Sequence, residues 1–329
     1  MKYSIEREKK KYSNAGSKAV RDTSAILHQL GYKPYVYDPI SANFVSHNLK
    51  RIWRIVKLYF ALNREDICFL QWPAYSTIGV DKLLYYTLKK KCNHLTLLIH
   101  DLTSIRINKN AKVECSFLRL AETLIVHTEE MSKWAVSKGV DKNRIKVLSS
   151  FDYLLSNNNI PQRKKSNEIV FAGNLEKSDF LYKINESLND ISLNCYGKET
   201  KRLIAKPLIY KGSFDADDVS RIEGSWGLVW DGNSTETCSG LIGEYLRINS
   251  PHKVSLYIVA KLPIIIWREA ALAGYVQEKC LGILIDSIEE IPNAISKISD
   301  KEYQIFLHNI NKERDLLTNG MHLINCIKQ

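Results

Sequence analysis

Apolar residues in this chain gather into short runs rich in valine, isoleucine, leucine and aromatics, bounded by glycine, proline or polar clusters. Between the runs, apolar positions recur at helical spacing. Short β-branched runs alternating with helical pattern predict parallel sheets covered by helices. In the first half the expected strands are Lys2–Glu6, Tyr35–Tyr37, Ile67–Trp72, Leu95–His100, Thr123–His127 and Ile145–Leu148. Helices are expected over about Ser17–Leu30, closed by Gly31, and over Asn48–Leu62. In the latter, Lys50, Arg51, Arg54 and Lys57 interleave with Ile52, Ile55, Val56 and Tyr59. That pattern suits a helix packed on a sheet with its lysines solvated, which is the preferred reading, or one lying on an anionic membrane.

Residues 157–167, NNNIPQRKKSN, are polar and carry a proline, the best linker in the chain. Beyond them the alternation restarts, with strands expected at Glu168–Ala172, Leu193–Tyr196, Leu208–Gly212, Trp226–Trp230, Pro263–Trp267 and Gly282–Ile285. Helical pattern lies near 215–222, 251–261, 269–279, 288–298 and 301–316. The organisation expected is an N-terminal domain over 1–156, the linker 157–167, a C-terminal domain over 168–312, and a helix at 313–329 packing back on the first domain. Two α/β domains joined by one linker would leave a cleft between the carboxyl edges of their sheets.

The most structured stretch runs from Trp226 to Trp267. An apolar strand stops at Asp231-Gly232, a polar loop follows, and Ser250-Pro251-His252-Lys253 reads as a helix start. Ser250 can cap the free N–H groups, and Pro251 suits the first helical position. With the strand that follows, this is a βαβ unit, and open α/β sheets bind ligands at the carboxyl edge. Lys253 in the first helical turn opposes the helix dipole. A bound phosphate would explain it; the alternative is a solvent-facing lysine.

Three further strand ends carry suggestive chemistry. Gly173 and Asn174 permit close backbone approach to a ligand, and Lys177 follows within reach of a phosphate. Tyr196 ends the next strand, placed to stack on or bond a base, and Asp231 ends the third. With Lys253 and Ser255 these residues would surround one pocket suited to a nucleotide diphosphate. In the first half, Asp101 follows a strand end at the sequence Ile99-His100-Asp101. A carboxylate there can deprotonate an acceptor hydroxyl or cap the following turn. His127, at the next strand end, reads as structural. No G-x-G-x-x-G follows the first strand and no G-x-x-x-x-G-K-[ST] occurs, which argues against NAD enzymes and P-loop NTPases.

Composition narrows the picture further. The 329 residues, 45% hydrophobic and 25% charged, suit a globular chain of about two domains. No apolar run approaches the length of a membrane span, and the start MKYSIEREKKK lacks the apolar core of a signal peptide, so a cytoplasmic protein is expected. The seven cysteines show no metal-ligand spacing and read as free thiols. Net charge is +11, and residues 1–62 hold 12 Lys/Arg against 4 Asp/Glu, +8 of that total. The asymmetry suggests an anionic partner, namely nucleic acid, a membrane surface or a phosphorylated acceptor; a general lysine surplus is the bland alternative. Nucleic acid is disfavoured because no reader motif or aromatic-basic stripe is present.

The stretches GSFDA (Gly212–Ala216), GLVWDGNSTETCSG (Gly227–Gly240), EYLRINSPHKVSLY (Glu244–Tyr257) and LPIIIWREAALA (Leu262–Ala273) closely resemble bacterial β-1,6-galactofuranosyltransferases of O-antigen and capsule assembly. Ile99–Asp101, FDYL at Phe151–Leu154 and AGNL at Ala172–Leu175 fall in matching order. A more distant resemblance is to the second-step glucosyltransferases of serine-rich adhesins, which lack the WDG-x-S-x-ETCSG run. The resemblance implies two Rossmann-like domains of the GT-B type facing across a cleft, a UDP-sugar donor held by the C-terminal domain, and no metal or other cofactor. It implies donor contacts from Gly173, Asn174 and Lys177, Tyr196 toward the uracil, and Lys253 with Ser255 on the diphosphate. Gly16-Ser17 resembles a loop closing over sugar and acceptor. Where the adhesin enzymes carry arginine, Lys177 keeps the charge but loses the bidentate fork.

The function so implied is an inverting, metal-independent transfer of a sugar, galactofuranose first, to a hydroxyl of a glycan acceptor that is lipid-linked or protein-linked. Asp101 is the candidate base, Asp231 is placed to orient sugar hydroxyls, and Glu236 is a third carboxylate in the specific loop. The alternatives are a glucosyl- or N-acetylglucosaminyltransferase acting on a glycosylated adhesin, and a non-catalytic nucleotide-sugar-binding partner. Peripheral contact with the inner membrane face fits a lipid-linked acceptor. Homo-oligomerisation through the C-terminal helices stays open.

Overall fold

The computed structural model describes residues 1–8, 15–38, 43–73, 78–106, 111–184, 188, 190–202 and 205–328. The chain divides into two compact units, Met1–Leu148 with the stretch from Leu323 onward, and Ser149–His322.

The first unit is built on β1 (Lys2–Arg7), β2 (Lys33–Asp38), β3 (Ile67–Trp72), β4 (His94–Ile99), β5 (Thr123–Val126) and β6 (Ile145–Val147). They form one sheet in the order β2-β1-β3-β4-β5-β6, every pair parallel. The central strands β3 and β4 are almost wholly buried, which explains why they read as continuous apolar runs rather than alternating ones. Helices Ala15–Gln29, Phe44–Ala61, Ile78–Lys91, Lys112–Leu120 and Glu129–Ser137 connect the strands. The C-terminal helix Met321–Lys328 joins this unit from Leu323, where Lys146 Nζ donates to the Cys326 carbonyl at 3.1 Å.

Helix Phe44–Ala61 does pack inward, and two of its four cations are spent in doing so. Arg51 is buried and donates to both oxygens of Asp38, at 2.5 and 2.8 Å, and Arg54 donates to the Val36 carbonyl at 2.9 Å. Burial alone would raise the Asp38 carboxyl, but donation from Arg51, His47 and Arg7 holds it at about 2.

The second unit carries β7 (Glu168–Ala172), β8 (Ser192–Tyr196), β9 (Leu208–Tyr210), β10 (Trp226–Val229), β11 (Ile264–Trp267) and β12 (Gly282–Ile285). Its sheet runs β12-β11-β10-β7-β8-β9, again all parallel. The strand order reverses between β7 and β10, which makes the crevice beyond their carboxyl ends the topological switch point. Trp226, Trp230 and Trp267 are fully or almost fully buried, and Trp230 and Trp267 meet edge to face.

Two local departures from the sequence pattern have identifiable causes. Residues 215–222 form turns instead of a helix. Asp215 accepts from Asp217 N and Asp218 from Ser220 N, so the aspartates satisfy the backbone locally in competition with helical bonds. The polar stretch 157–167 lies against the second unit, because buried Arg163 donates to the Ala260 carbonyl at the end of helix His252–Val259 and to the Ile222 carbonyl.

A polar cluster closes the second unit. Glu313, buried on helix Asp300–Thr318, accepts from Tyr275 Oη at 2.6 Å and pairs with His322 Nε2 at 2.8 Å. Burial would raise the Glu313 carboxyl, but the bonds from His322 and Tyr275 prevail and hold it at about 2. Burial would lower the His322 imidazole, but Glu313, followed by Asp152, raises it above 6.5. A depressed carboxyl stabilises above its unfolded value, near 4.5, and that contribution fades as pH falls toward 2. A raised histidine contributes fully below 6.5 and loses that contribution as pH rises through its folded value. The cluster is therefore most stabilising between about pH 4.5 and 6.5. Glu313→Gln is expected to cost about 2 kcal/mol in that window and less on either side. Denaturant unfolding of both proteins across pH checks this; a difference independent of pH would mean the cluster does not titrate with folding.

Candidate functional site

In the second unit the residues at the switch point converge on Lys253. Helix His252–Val259 follows β10 and its long loop, so its N-terminus lies at the carboxyl edge of the sheet. Pro251 itself is the N-cap and no side chain caps the helix, whereas the sequence suggested a Ser250 cap with Pro251 inside the first turn. Proline has no side-chain hydroxyl or amide to offer the first turn, and Val254 N there bonds the Pro251 carbonyl at 3.0 Å. The Lys253 ammonium reaches back across the strand ends. It donates to Asp231 Oδ1 at 2.6 Å and to the Trp230 carbonyl at 3.1 Å, and stands 4.7 Å from the centre of the Phe171 ring.

Gly173 makes that approach feasible, since a Cβ there would lie 3.2 Å from Lys253 Cε and 3.2 Å from the Phe171 ring. Gly232, at φ 107°, lets the chain leave Asp231 and fold back beneath the loop, where a Cβ would strike the Ser239 carbonyl at 2.3 Å. Thus β7 contributes the open floor, β10 the carboxylate and the carbonyl, and the following helix the cation.

The other sequence-derived residues divide into those presented and those enclosed. Asn174 is exposed and caps the next turn, its Oδ1 accepting from Lys177 N at 3.2 Å. Lys177 is exposed, and its ammonium makes no ion pair among the described residues. Glu236 is exposed on the loop after Asp231, and among the described residues only its backbone N–H is engaged, donating to Ser234 Oγ at 3.2 Å.

Tyr196 and Ser255 are enclosed, against the roles expected of them. The Tyr196 ring is buried edge-on against Phe214, and its hydroxyl accepts from Glu223 N at 2.8 Å. Its proton is engaged as well, donated to the Arg221 carbonyl at 3.4 Å. Ser255 is fully buried and donates to the Phe151 carbonyl at 2.6 Å, so it secures the FDYL segment instead of facing a phosphate. Periodicity gave no warning, because serine at a helical core position reads as polar and therefore available.

In the first unit Asp101 lies just beyond β4. Its Oδ2 pairs with Arg106, while its Oδ1 is buried with no partner among the described residues. An unpaired buried carboxylate oxygen is costly, and an arriving hydroxyl can satisfy it. Glu114, which the sequence reading missed, holds this loop. It accepts from Trp72 Nε1 at 3.0 Å, from Thr103 N at 3.0 Å and Oγ1 at 3.1 Å, and from both Ser104 donors. A lone glutamate at a helix start gives no such signal, since its partners come from other elements. His127 is buried, and burial lowers its imidazole to about 4, with Nε2 2.5 Å from the Ile99 carbonyl. That is the structural role expected.

Gly16 and Ser17 lie in the first turn of helix Ala15–Gln29 rather than in a loop. That turn is continuous with a buried Lys18–Asp22 pair at 2.7 Å, which favours helix at this point. The preceding Tyr12–Asn14 segment lies outside the described residues.

Comparison with known proteins gives the following matches. The model of the glucosyltransferase 3-like C-terminal domain matches residues 169–329, and that of the glucosyltransferase 3-like N-terminal domain matches residues 2–149. The β-1,6-galactofuranosyltransferase WbbI of Escherichia coli (strain K12) is 28% identical over 324 residues, covering 96% of this chain and 94% of WbbI. Glucosyltransferase 3 of Streptococcus gordonii is 24% identical over 312 residues, covering 92% of this chain and 90% of its own. Among solved structures, HepE of Anabaena in complex with UDP superposes with a TM-score of 0.60 at 11% identity, covering 100% of this chain and 97% of that one. At that identity the likeness concerns the fold, which is of the two-domain GT-B type.

Proposed function

The chain belongs to the glucosyltransferase 3-like family, and on that premise we propose that it is a UDP-sugar-dependent glycosyltransferase that moves galactofuranose, with inversion, to a hydroxyl of a surface-glycan acceptor. The observation that carries this reading is Lys253 seated at the switch point of the second unit, beside Gly173 and Asp231 and in the first turn of a helix without a side-chain cap. Departure of UDP places negative charge on a phosphate oxygen, and a fixed cation with a helix N-terminus stabilises that charge where it develops. Exposed Lys177 adds a second cation on the adjoining strand end. The Asp231 carboxylate is already paired with Lys253, and no cluster of three or more metal-ligating side chains gathers among the described residues, so the reaction is proposed to run without a metal.

Inversion requires one displacement. The acceptor oxygen bonds to the anomeric carbon, the bond to UDP breaks with its electron pair going to the phosphate oxygen, and the hydroxyl proton passes to a base. Asp101, whose Oδ1 has no partner among the described residues, is proposed as that base. Galactofuranose is favoured over glucose by the run Gly227–Gly240 and by the greater identity to WbbI. The acceptor is proposed to be a glycan carried on lipid diphosphate, which suits a basic first unit.

The test is donor turnover by purified protein across a panel of UDP-sugars in EDTA, including UDP-galactofuranose made in situ by a mutase. Turnover that needs the mutase is expected. Turnover with UDP-glucose or UDP-N-acetylglucosamine instead would move the chain to the glucosyltransferase reading. Dependence on an added divalent cation would refute the metal-free mechanism.

A further inference from the structure

Helix Phe44–Ala61 has a second apolar face that nothing among the described residues covers. Val45, Leu49, Ile52, Trp53, Val56 and Phe60 are all exposed, Trp53 at 58% and Phe60 at 77%. At about 100° per residue these six fall within an arc of roughly 100°. The buried Arg51, Ile55 and Leu58 occupy a separate arc, which packs the helix on its own unit. A globular protein rarely leaves such a stripe in water without a use for it.

Cations line both borders of the stripe. Lys50 and Lys57 lie along one side, and Lys57 Nζ sits 3.6 Å from the centre of the Trp53 ring. On the other side, Lys90 and Lys91 from helix Ile78–Lys91 approach the Tyr59 ring at 5.8 and 4.8 Å, and Tyr59 packs edge-on against Phe60. Beside them, Arg64, Lys89, Lys90 and exposed Tyr86 line a cavity of about 570 Å³. The helix itself contains no aspartate or glutamate. No helix among the described residues is long and apolar enough to cross a membrane.

We propose that this face docks the first unit onto an anionic lipid bilayer. The apolar stripe sinks into the boundary between headgroups and acyl chains, and the flanking lysines with the Arg64–Lys89–Lys90 cavity engage lipid phosphates. A basic border around an apolar face is complementary to anionic lipid, where both forces act together. A second copy of this chain would meet the same lysines and be repelled at the rim. The proposal concerns a surface and is independent of which sugar is moved.

The test is sedimentation of the full chain with phosphatidylcholine vesicles, with and without an equal part of phosphatidylglycerol. Binding is expected to the anionic vesicles and to be far weaker to neutral ones. Trp53→Ser with Phe60→Ser should reduce partitioning by about tenfold or more, as should Lys57→Glu with Lys90→Glu. Both double variants should keep the wild-type thermal midpoint and turnover on a soluble acceptor, which separates loss of docking from loss of fold or of the transferase itself. Anionic binding unaltered by the Trp53 and Phe60 changes would overturn the proposal, as mere charge attraction. Failure to bind any vesicle, with light scattering showing a dimer that these changes dissociate, would overturn it in favour of self-association.

Discussion

Asp101→Asn is expected to lower turnover by about 10²–10⁴-fold while leaving affinity for UDP within about twofold. The amide keeps the shape of the carboxylate and an acceptor oxygen for Arg106, so the loop beyond β4 holds its place. It loses the ability to take a proton. Oδ1 of Asp101 is buried and has no partner among the described residues, and an acceptor hydroxyl donating to it would be polarised at the moment of attack. UDP binds through groups of the second unit in this reading, which is why its affinity should not follow turnover. Steady-state kinetics with the established donor, together with calorimetric UDP binding, separate the two quantities. Turnover equal to wild type would reduce Asp101 to a turn-forming residue paired with Arg106.

The same loop supplies a control. Glu114→Gln weakens the bonds that hold Thr103 and Ser104 without touching Asp101. It is expected to reduce turnover less than Asp101→Asn, because the proton acceptor itself is kept. The contrast separates positioning from proton transfer.

The sheets were legible in the sequence because their central strands, such as β3, β4, β7, β10 and β11, are buried on both faces. Ile67–Trp72, Glu168–Ala172 and Gly282–Ile285 coincide with β3, β7 and β12, since continuous β-branched runs between breakers have little alternative. The strand ends were legible for the same reason, and with them Gly173, Asp231 and Lys253. Which way a polar side chain turns at those ends was not. Tyr196 and Ser255 are partnered by Glu223 N and the Phe151 carbonyl, contacts made by distant segments that no local pattern encodes. Glu114 was hidden by the reverse effect, an ordinary surface-like glutamate made central by Trp72 and by the Thr103–Ser104 turn. On helix Phe44–Ala61 the basic residues were visible, but their division into buried Arg51 and exposed Lys57 depends on where Asp38 lies.

Lys253→Met is expected to lower turnover by about 10²–10³-fold, with weaker UDP binding as well. The loss has two parts that can be separated. Methionine removes the cation that faces the developing charge on UDP, and it also leaves the Asp231 carboxylate without its 2.6 Å partner. An uncompensated carboxylate at the switch point repels a diphosphate, so the variant should bind UDP worse than loss of one contact predicts. Adding Asp231→Asn should therefore restore part of the UDP affinity without restoring turnover, a coupling that a double-mutant cycle measures directly. Gly173→Ala should act in the same direction more mildly, because its Cβ, 3.2 Å from Lys253 Cε, forces the lysine to shift rather than removing it. Lys177→Ala should have a smaller effect still, since an exposed ammonium works against the full dielectric of water. If Lys253→Met instead turned over like wild type while Lys177→Ala did not, the leaving group would be held at the exposed turn after β7, and the switch-point lysine would serve only to bind Asp231.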